Sequence, residues 1–454
     1  MAGVASPEHP ARVRARDLAR EHGYNATSFQ TVGEGFSYLF HADGYVAYAD
    51  TGRAWVAAGA PVCRAEALAS TVQAFVDEAR AAGRRCCFFS VEPRLLAATE
   101  RSLEHVRIGE QPVWDPGEWE ASLRERGSLR EQLRRARARG VTVRQVSDDE
   151  RVALAEPLRR LLTRWLATRA MPPMGFLVAV PSAFDSADGR RFVASVGERV
   201  VGVACVLPVP GRQGLFIEHL LRDPHAPNGT VELLVDAVMR WAASIGCSWL
   251  TLGLAPLSGD VSPPLRFARR RLRFLYDFEG LRRFKQKLYP RDAVPIYLAF
   301  PPSQGAVRSI LDALAAFSAG GLLHFGARFV LRGHPLVLGT LAALLVPWTA
   351  LLALASPDVW FAGHAAVKWA WVGFDVLVFA GLTWLVRRPS WRLAALLAVA
   401  VTADAVLTAL EAAFWNLPQL AHWLHGGVIA LACTAPALAA VTLWGAAVRL
   451  KRAA

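Results

Sequence analysis

None of the six cysteines (Cys63, Cys86, Cys87, Cys205, Cys247 and Cys433) forms a C-x-x-C pair, and no histidines stand at zinc-ligand spacing from them. This argues against a metal or disulfide framework and predicts reduced core thiols in a cytosolic domain. Met1–Arg20 contains Arg12, Arg14 and Arg16 with no apolar stretch behind them, so a cleaved signal peptide is not expected. Acidic residues are also scarce: 38 stand against 51 Lys and Arg, a net charge of +13.

A chain so basic should be polar, yet 53% of its residues are hydrophobic and its mean hydropathy is +0.26. Division into a basic soluble part and a membrane part resolves the conflict. After residue 334 only seven Lys/Arg and four acids remain, so most of the positive surplus lies before it. Beyond that point come four apolar runs, roughly 335–356, 366–386, 393–415 and 425–447, each long enough to span a bilayer. Cations flank them unevenly: Arg328 and Arg332 before the first, Arg387, Arg388 and Arg392 between the second and third, and Arg449, Lys451 and Arg452 after the fourth. The positive-inside rule then places both termini and the soluble part in the cytoplasm. Asp375, Asp404 and Glu411 fall within these runs. They would line a headgroup pocket or a proton path, pair inside the bundle with Thr402, Thr408 or His425, or lie near the outer interface.

The soluble part repeats one pattern. Residues 29–60 read as a meander of short apolar runs separated by Asp-Gly and Thr-Gly turns; a helix over 65–82, a strand over 86–91, a helix over 93–103 and a strand over 106–114 follow. From Val141 the order returns: a helix over 150–169, strands at 176–180, 191–195, 200–209 and 215–221, a helix over 228–244 and a strand over 249–254. The expected fold class is mixed α/β (α+β), two similar lobes followed by an all-α four-helix transmembrane bundle. The expected boundaries are 1–24 lead-in, 25–140 first lobe, 141–302 second lobe, 303–334 amphipathic connector and 335–454 membrane helices.

Three stretches carry chemistry. In FIEHLLRDPHAPNGT (216–230) a strand runs through a polar loop into a helix at Asn228, Gly229 and Thr230. Free N–H groups at such a helix start suit an anion. Glu218 or His219 would serve as general base and Arg222 would hold a phosphate or carboxylate; the alternative is a capped helix under a polar surface loop. A helix over 119–139 becomes almost purely arginine toward its end, with Arg130, Arg134, Arg135 and Arg137. It is either a phosphate-facing surface or a solvated face. Finally, LTLGLAPLSG (250–259) leads into a segment where Arg266, Arg269, Arg270, Arg271, Arg273, Arg282, Arg283, Lys285 and Lys287 are interleaved with Phe274, Tyr276, Phe278 and Phe284. Such a segment suits a polyanion, nucleic acid or anionic lipid, or is a basic face whose aromatics belong to the core.

The strings LGLAPLSG, FLYDFEGLRRFKQKLYP, PNGTVELLVDAVMRWA and RIGEQPVWD, the last with the arginine-rich helix behind it, resemble the C-terminal catalytic domain of bacterial phosphatidylglycerol lysyltransferases (aminoacyl-phosphatidylglycerol synthases) across roughly residues 25–300. The resemblance implies tandem GNAT-like acyltransferase lobes that take an aminoacyl group from aminoacyl-tRNA and esterify it to an anionic phospholipid headgroup at the bacterial inner membrane, with no cofactor and no metal. Arg222 and Lys285 match basic positions of the family's motifs, with Glu218 and His219 beside them as catalytic candidates. Asn228, Gly229, Thr230, Gly253, Ser258, Arg282, Arg283 and Lys287 would bind substrate, the 253–259 turn shaping the acyl site. Arg130, Arg134, Arg135 and Arg137 would face tRNA or anionic lipid. The sequence departs from the family at two places. His219 stands where the family has an acid three residues before the arginine. The apolar runs follow the catalytic region, whereas the family's flippase-like bundle precedes it, so lipid flipping is not implied. Two other readings remain: a GNAT-like acyltransferase using acyl-CoA or another acceptor, and a non-catalytic lipid- or RNA-binding regulator.

Overall fold

The computed structural model describes residues 9–99, 102–169, 171–178, 188–271, 276–318, 321–357, 361, 363–418 and 423–453. It divides into two compact units, Met1–Leu162 with Pro173–Leu322, and Thr163–Pro172 with Leu323–Ala454. The expected connector is therefore divided between the units, and the 150–168 helix is divided too, its residues from Thr163 onward falling in the second.

In the first unit, α1 (Pro10–His22) precedes an antiparallel meander of β1 (Ser37–His41), β2 (Gly44–Asp50) and β3 (Ala54–Ala58). Helix α2 (Leu68–Ala81) crosses over to β4 (Arg85–Val91), which is parallel to β3. Its stripe of Leu68, Val72, Phe75, Val76 and Ala79 is buried on the sheet, as helical periodicity requires. Then come α3 (Pro93–Ala98) and β5 (Glu104–Trp114). The arginine-rich stretch is two helices, α4 (Trp119–Glu125) and α5 (Gly127–Ala138), separated at Arg126, where the sequence pattern predicts one.

The second lobe repeats the plan. After β6 (Val141–Gln145) and α6 (Glu150–Thr168), strands β7 (Arg190–Val196), β8 (Arg199–Val209) and β9 (Gly214–Arg222) extend the meander. Helix α7 (Thr230–Ser244) then crosses to β10 (Trp249–Thr251), parallel to β9. The predicted strand at 176–180 is instead a tight turn over Phe176–Val178; 179 and 180 lie outside the described residues. A meander, a crossover helix and a parallel strand form one lobe plan, present twice. The chain continues through β11 (Ala255–Pro256), α8 (Pro263–Arg271), α9 (Phe278–Lys287), β12 (Asp292–Phe300), α10 (Ala306–Phe317) and α11 (Leu322–Leu331). Arg273 and Phe274 of the basic segment lie outside the described residues.

The lobes share one sheet, ordered β1-β2-β3-β4-β12-β5-β10-β9-β8-β7-β6. Each lobe's closing strand is exchanged with the other's. β5 follows β4 in sequence but pairs with β10, while β12 lies between β4 and β5. The cores record the swap. Trp114 of β5 is buried among α5 and α7 with Leu129, Leu234 and Met239, and Ala299 of β12 is buried with Val72 and Phe75 of α2. Residue 140 lies between α5 and β6, while β5 and β12 are exchanged between the stretches on its two sides.

The second unit carries four helices long and apolar enough to cross a membrane: α12 (Pro335–Leu354), α13 (Ala365–Arg387), α14 (Trp391–Glu411, continued by a π turn over Ala412–Asn416) and α15 (Trp423–Ala453). Leu338, Leu382, Leu397 and Leu443 pack at the centre. Leu344, Leu351, Leu377 and Leu396 are more than half exposed, the pattern of helices that are apolar all round. Inside the bundle the Thr349 hydroxyl lies 3.3 Å from the Asp375 carboxylate, and Thr408 donates to Asp404 at 3.4 Å. Thr402 instead bonds the Ala398 carbonyl and accepts the Trp444 indole N–H.

Candidate active site

The two lobes differ where their parallel strands meet. In the first lobe β3 and β4 stay paired from Ala54↔Arg85 to Ala58↔Phe89, and β12 covers the other edge of β4. In the second lobe the pairing stops at Thr251↔Phe216. There β9 runs on to Arg222, while the chain after Thr251 swings across to pair Ala255 with Glu110 on β5. A wedge opens between Ile217–Arg222 and the 252–258 turn. Asp223 donates its N–H to Val201 on β8 at 2.9 Å. By strand alternation, the backbone groups of Arg222 and Leu220 face the open side.

Lys285 keeps the wedge open. Its ammonium, buried at the end of α9, donates to the carbonyls of Leu252 (2.8 Å), Gly253 (2.7 Å) and Leu254 (3.0 Å). All three protons are used, so Lys285 clamps the turn and has no donor left for the phosphate expected of it from the sequence. Burial lowers its pKa to about 7. Gly253 has φ +71°, and a Cβ there would stand 2.8 Å from the Phe216 ring, so a side chain is excluded by conformation and by space. Ser258 is a brace as well: its hydroxyl donates to Ala255 O (2.7 Å) and accepts Glu110 N–H (3.2 Å).

Glu218 lies at the heart of the wedge. Cys205 pairs with His219 and Val206 with Ile217, which makes Glu218 the extra residue of a β-bulge, a device that re-aims a side chain beside a site. Its carboxyl is buried, its side chain 8% exposed. Gln30 Nε2 donates to Oε1 at 3.0 Å and to the Leu177 carbonyl at 2.9 Å. His219 Nε2 lies 3.7 Å from the same oxygen. Burial pushes the Glu218 pKa up to about 7, the Gln30 bond opposing. No lysine or arginine among the described residues forms an ion pair with it. A carboxyl that changes charge near neutrality inside a cleft has the properties of a general base.

Arg222 ends β9, its Nη1 3.5 Å from Asn228 Oδ1, over the turn that starts α7. Four residues at ~3.3 Å each put its Cα roughly 13 Å from that of Glu218, so the two act on different parts of a substrate. Gly229, at φ +93°, would clash through a Cβ with the Gln132 carbonyl of α5 at 2.7 Å. Thr230 donates its hydroxyl to Pro227 O at 2.7 Å. Both residues shape the turn.

Most of the remaining candidate cations are already paired. Lys287 bonds Glu232 at 2.9 Å. Arg282 lies 3.7 Å from the Glu279 carboxylate, and Arg283 reaches the Glu279 carbonyl at 3.4 Å. On α5, Arg134 and Arg135 share Glu131 at 2.8 Å each, Arg137 bonds the buried Asp236 at 2.7 Å, and Arg130 bonds the Arg124 carbonyl. Two carboxylates, Glu131 and Asp236, serve these arginines, and Asp236 is shared with Arg240, so the surface of α5 keeps a net positive charge while most of its side chains are held in place. Arg124 and Arg139 are exposed and carry no side-chain partner among the described residues. No group of three His, Cys, Asp or Glu among those residues is placed to hold a metal.

Sequence reasoning missed Gln30 and the Leu177 carbonyl. It also missed a buried pair between Glu92 and Arg212, whose guanidinium stacks on Tyr24 and Trp249. Each joins residues more than 100 positions apart, and no local pattern signals them.

Residues 15–300 match the family described as phosphatidylglycerol lysyltransferase, C-terminal. The phosphatidylglycerol lysyltransferase of Bacillus subtilis (strain 168) is 24% identical over 298 residues, 63% of this chain and 34% of that protein. The lysylphosphatidylglycerol biosynthesis bifunctional protein LysX of Mycobacterium avium (strain 104) is 28% identical over 216 residues, 44% of this chain and 18% of its own length. The chain therefore spans about a third or less of these curated relatives. Among solved structures, a C-terminal (DUF2156) domain from Agrobacterium fabrum, assigned to a lysylphosphatidylglycerol synthetase, gives a TM-score of 0.60 at 25% identity, covering 68% of this chain and 98% of that one. L-PGS from Bacillus licheniformis shares the fold, with a TM-score of 0.58 at 20% identity over 68% of this chain and 97% of that one.

Proposed function

The chain belongs to the family of phosphatidylglycerol lysyltransferase C-terminal domains, and on that footing we propose that it moves an aminoacyl group from aminoacyl-tRNA to a hydroxyl of an anionic phospholipid headgroup such as phosphatidylglycerol. The observation that carries this reading is Glu218, a buried carboxyl on a β-bulge at the mouth of the parallel strand pair that splays. With a pKa of about 7, about half of it is ionised at neutral pH.

In this scheme the acceptor hydroxyl gives its proton to Glu218 as its oxygen attacks the aminoacyl ester carbonyl. The tetrahedral intermediate carries its negative charge toward the backbone N–H groups that β9 turns to the wedge. Collapse breaks the bond to the ribose oxygen of the tRNA, and that oxygen takes the proton from Glu218. One ester replaces another, so no further energy source is needed. Arg222 holds a phosphate set back from the reacting carbon. Lys285 and Gly253 act on the shape of the wedge.

The membrane assignment rests on the four apolar helices and their cationic flanks. The flanks favour a cytoplasmic active unit, the compartment that holds charged tRNA. Full-length protein in phosphatidylglycerol vesicles, supplied with radiolabelled aminoacyl-tRNA, should transfer label to lipid in a ribonuclease-sensitive manner. E218Q should reduce that rate by roughly 100-fold or more, the usual worth of a general base. Label transfer that needs a CoA thioester, or full activity in E218Q, would overturn the proposal.

A further inference from the structure

We infer that Gln30 is a positioning residue for Glu218: it holds Oε1 so that Oε2 is the atom through which the proton enters and leaves. This rests on the reading of Glu218 as the base.

Gln30 begins a tight turn (Gln30–Val32) in a segment fixed from both lobes. Thr31 bonds the Ser28 carbonyl (2.6 Å) and the Tyr45 hydroxyl (2.8 Å), and Asn25 donates to Ala60 O at 3.3 Å; these ties belong to the first lobe. Phe29 and Val32 are buried against Leu207, Val209 and Phe216 of the second. The backbone under Gln30 is therefore held in place before any substrate arrives.

The amide has two protons and both are used, one on Glu218 Oε1 and one on the Leu177 carbonyl. The rotated amide would set its oxygen against a carbonyl and a carboxylate, two acceptors that repel it, so the geometry fixes the orientation. Oε1 is thereby committed as an acceptor in both charge states of Glu218. Oε2 has no hydrogen-bond partner among the described residues, and a proton on the carboxyl must sit there. A carboxyl free to rotate would offer its basic lone pairs in several directions; this one offers them in one. The same amide also ties the Phe176–Val178 turn to β9. Phe176 holds φ +57°, an uncommon backbone for a bulky residue.

The experiment compares full-length wild type, Q30M and E218Q, and the Q30M/E218Q double variant, in phosphatidylglycerol vesicles. Methionine keeps the length and removes the donors. Q30M should lower kcat by roughly ten- to a hundredfold, the range for a hydrogen bond to a charged group, with KM for aminoacyl-tRNA unchanged. The acidic limb of its kcat/KM profile should move upward by about one pH unit, a tenfold change in the proton equilibrium. A structural role alone would lower activity and leave the limb in place, and that result would overturn the inference. The second readout needs no activity: the pH midpoint of the melting difference between Q30M and Q30M/E218Q, compared with that between wild type and E218Q. An upward shift of that midpoint supports the contact even if no lipid is labelled, in which case the functional reading alone fails. An unchanged midpoint overturns the inference whatever the activity.

Discussion

Replacing Glu218 with glutamine should stabilise the protein while disabling it. In the folded state the carboxyl titrates near 7, above its ordinary 4.5, because burial disfavours the charge. The native state therefore holds this proton more tightly than the unfolded chain does. The resulting stability is complete below about pH 4.5 and is lost as the pH rises through about 7. Glutamine fixes the neutral form and still accepts from Gln30. At pH 4.5 wild type and E218Q should melt together. At pH 8 the variant should be ahead by about 3 kcal/mol, from a shift of about 2.5 units at 1.36 kcal/mol each, or roughly 5 °C for a unit of this size. Thermal melting of both proteins in one detergent across pH 4.5–8, followed by tryptophan fluorescence, measures this directly. A difference that is flat in pH, or that favours wild type at pH 8, would refute the assignment of a buried, unneutralised carboxyl. The trade is common at active sites, where a group poised for reaction destabilises the fold around it.

Two further outcomes follow from the clamp and from the arginines. K285M leaves three carbonyls without their donor and should destabilise the first unit by at least about 3 kcal/mol, seen as an early melting transition with loss of transfer; a variant that melts like wild type would show the clamp to be dispensable. R134A and R135A, whose side chains share Glu131, should change KM for aminoacyl-tRNA less than R124A and R139A, which should raise it several-fold and flatten its salt dependence; the reverse order would show that the ion pairs on α5 open on binding.

The sequence disclosed what local periodicity can carry. The buried stripe of α2, the crossover helix α7 and the membrane helices follow from side-chain spacing alone, because each element must bury one face or all of them. The lobe repeat was legible for the same reason. The pairing of β12 with β4 and β5 was not, since Asp292–Phe300 gives no sign of which strand it will lie beside. Lys285 stands out in the sequence as a phosphate ligand, whereas in the fold it is a clamp. A lysine in a basic run looks solvated until three carbonyls converge on it. Glu218 was visible as an acid beside His219 and Arg222. The bulge that aims it and the amide that fixes it both depend on partners distant in the chain.

The exchanged strands also constrain how this protein can be made. On a ribosome the first lobe emerges with β4 ready, but the strand that covers β4 is not synthesised until residue 300. Until then β4 presents an open hydrogen-bonding edge, and Trp114 on β5 has only the α4–α5 side of its core until the residues beyond 190 that complete it are made. Neither lobe can close alone, so the polypeptide must be held through most of its synthesis with a sticky edge exposed. A deletion or stop before Phe300 would therefore be expected to cost both lobes at once, and a separately expressed 1–140 fragment should aggregate unless β12 is supplied in trans.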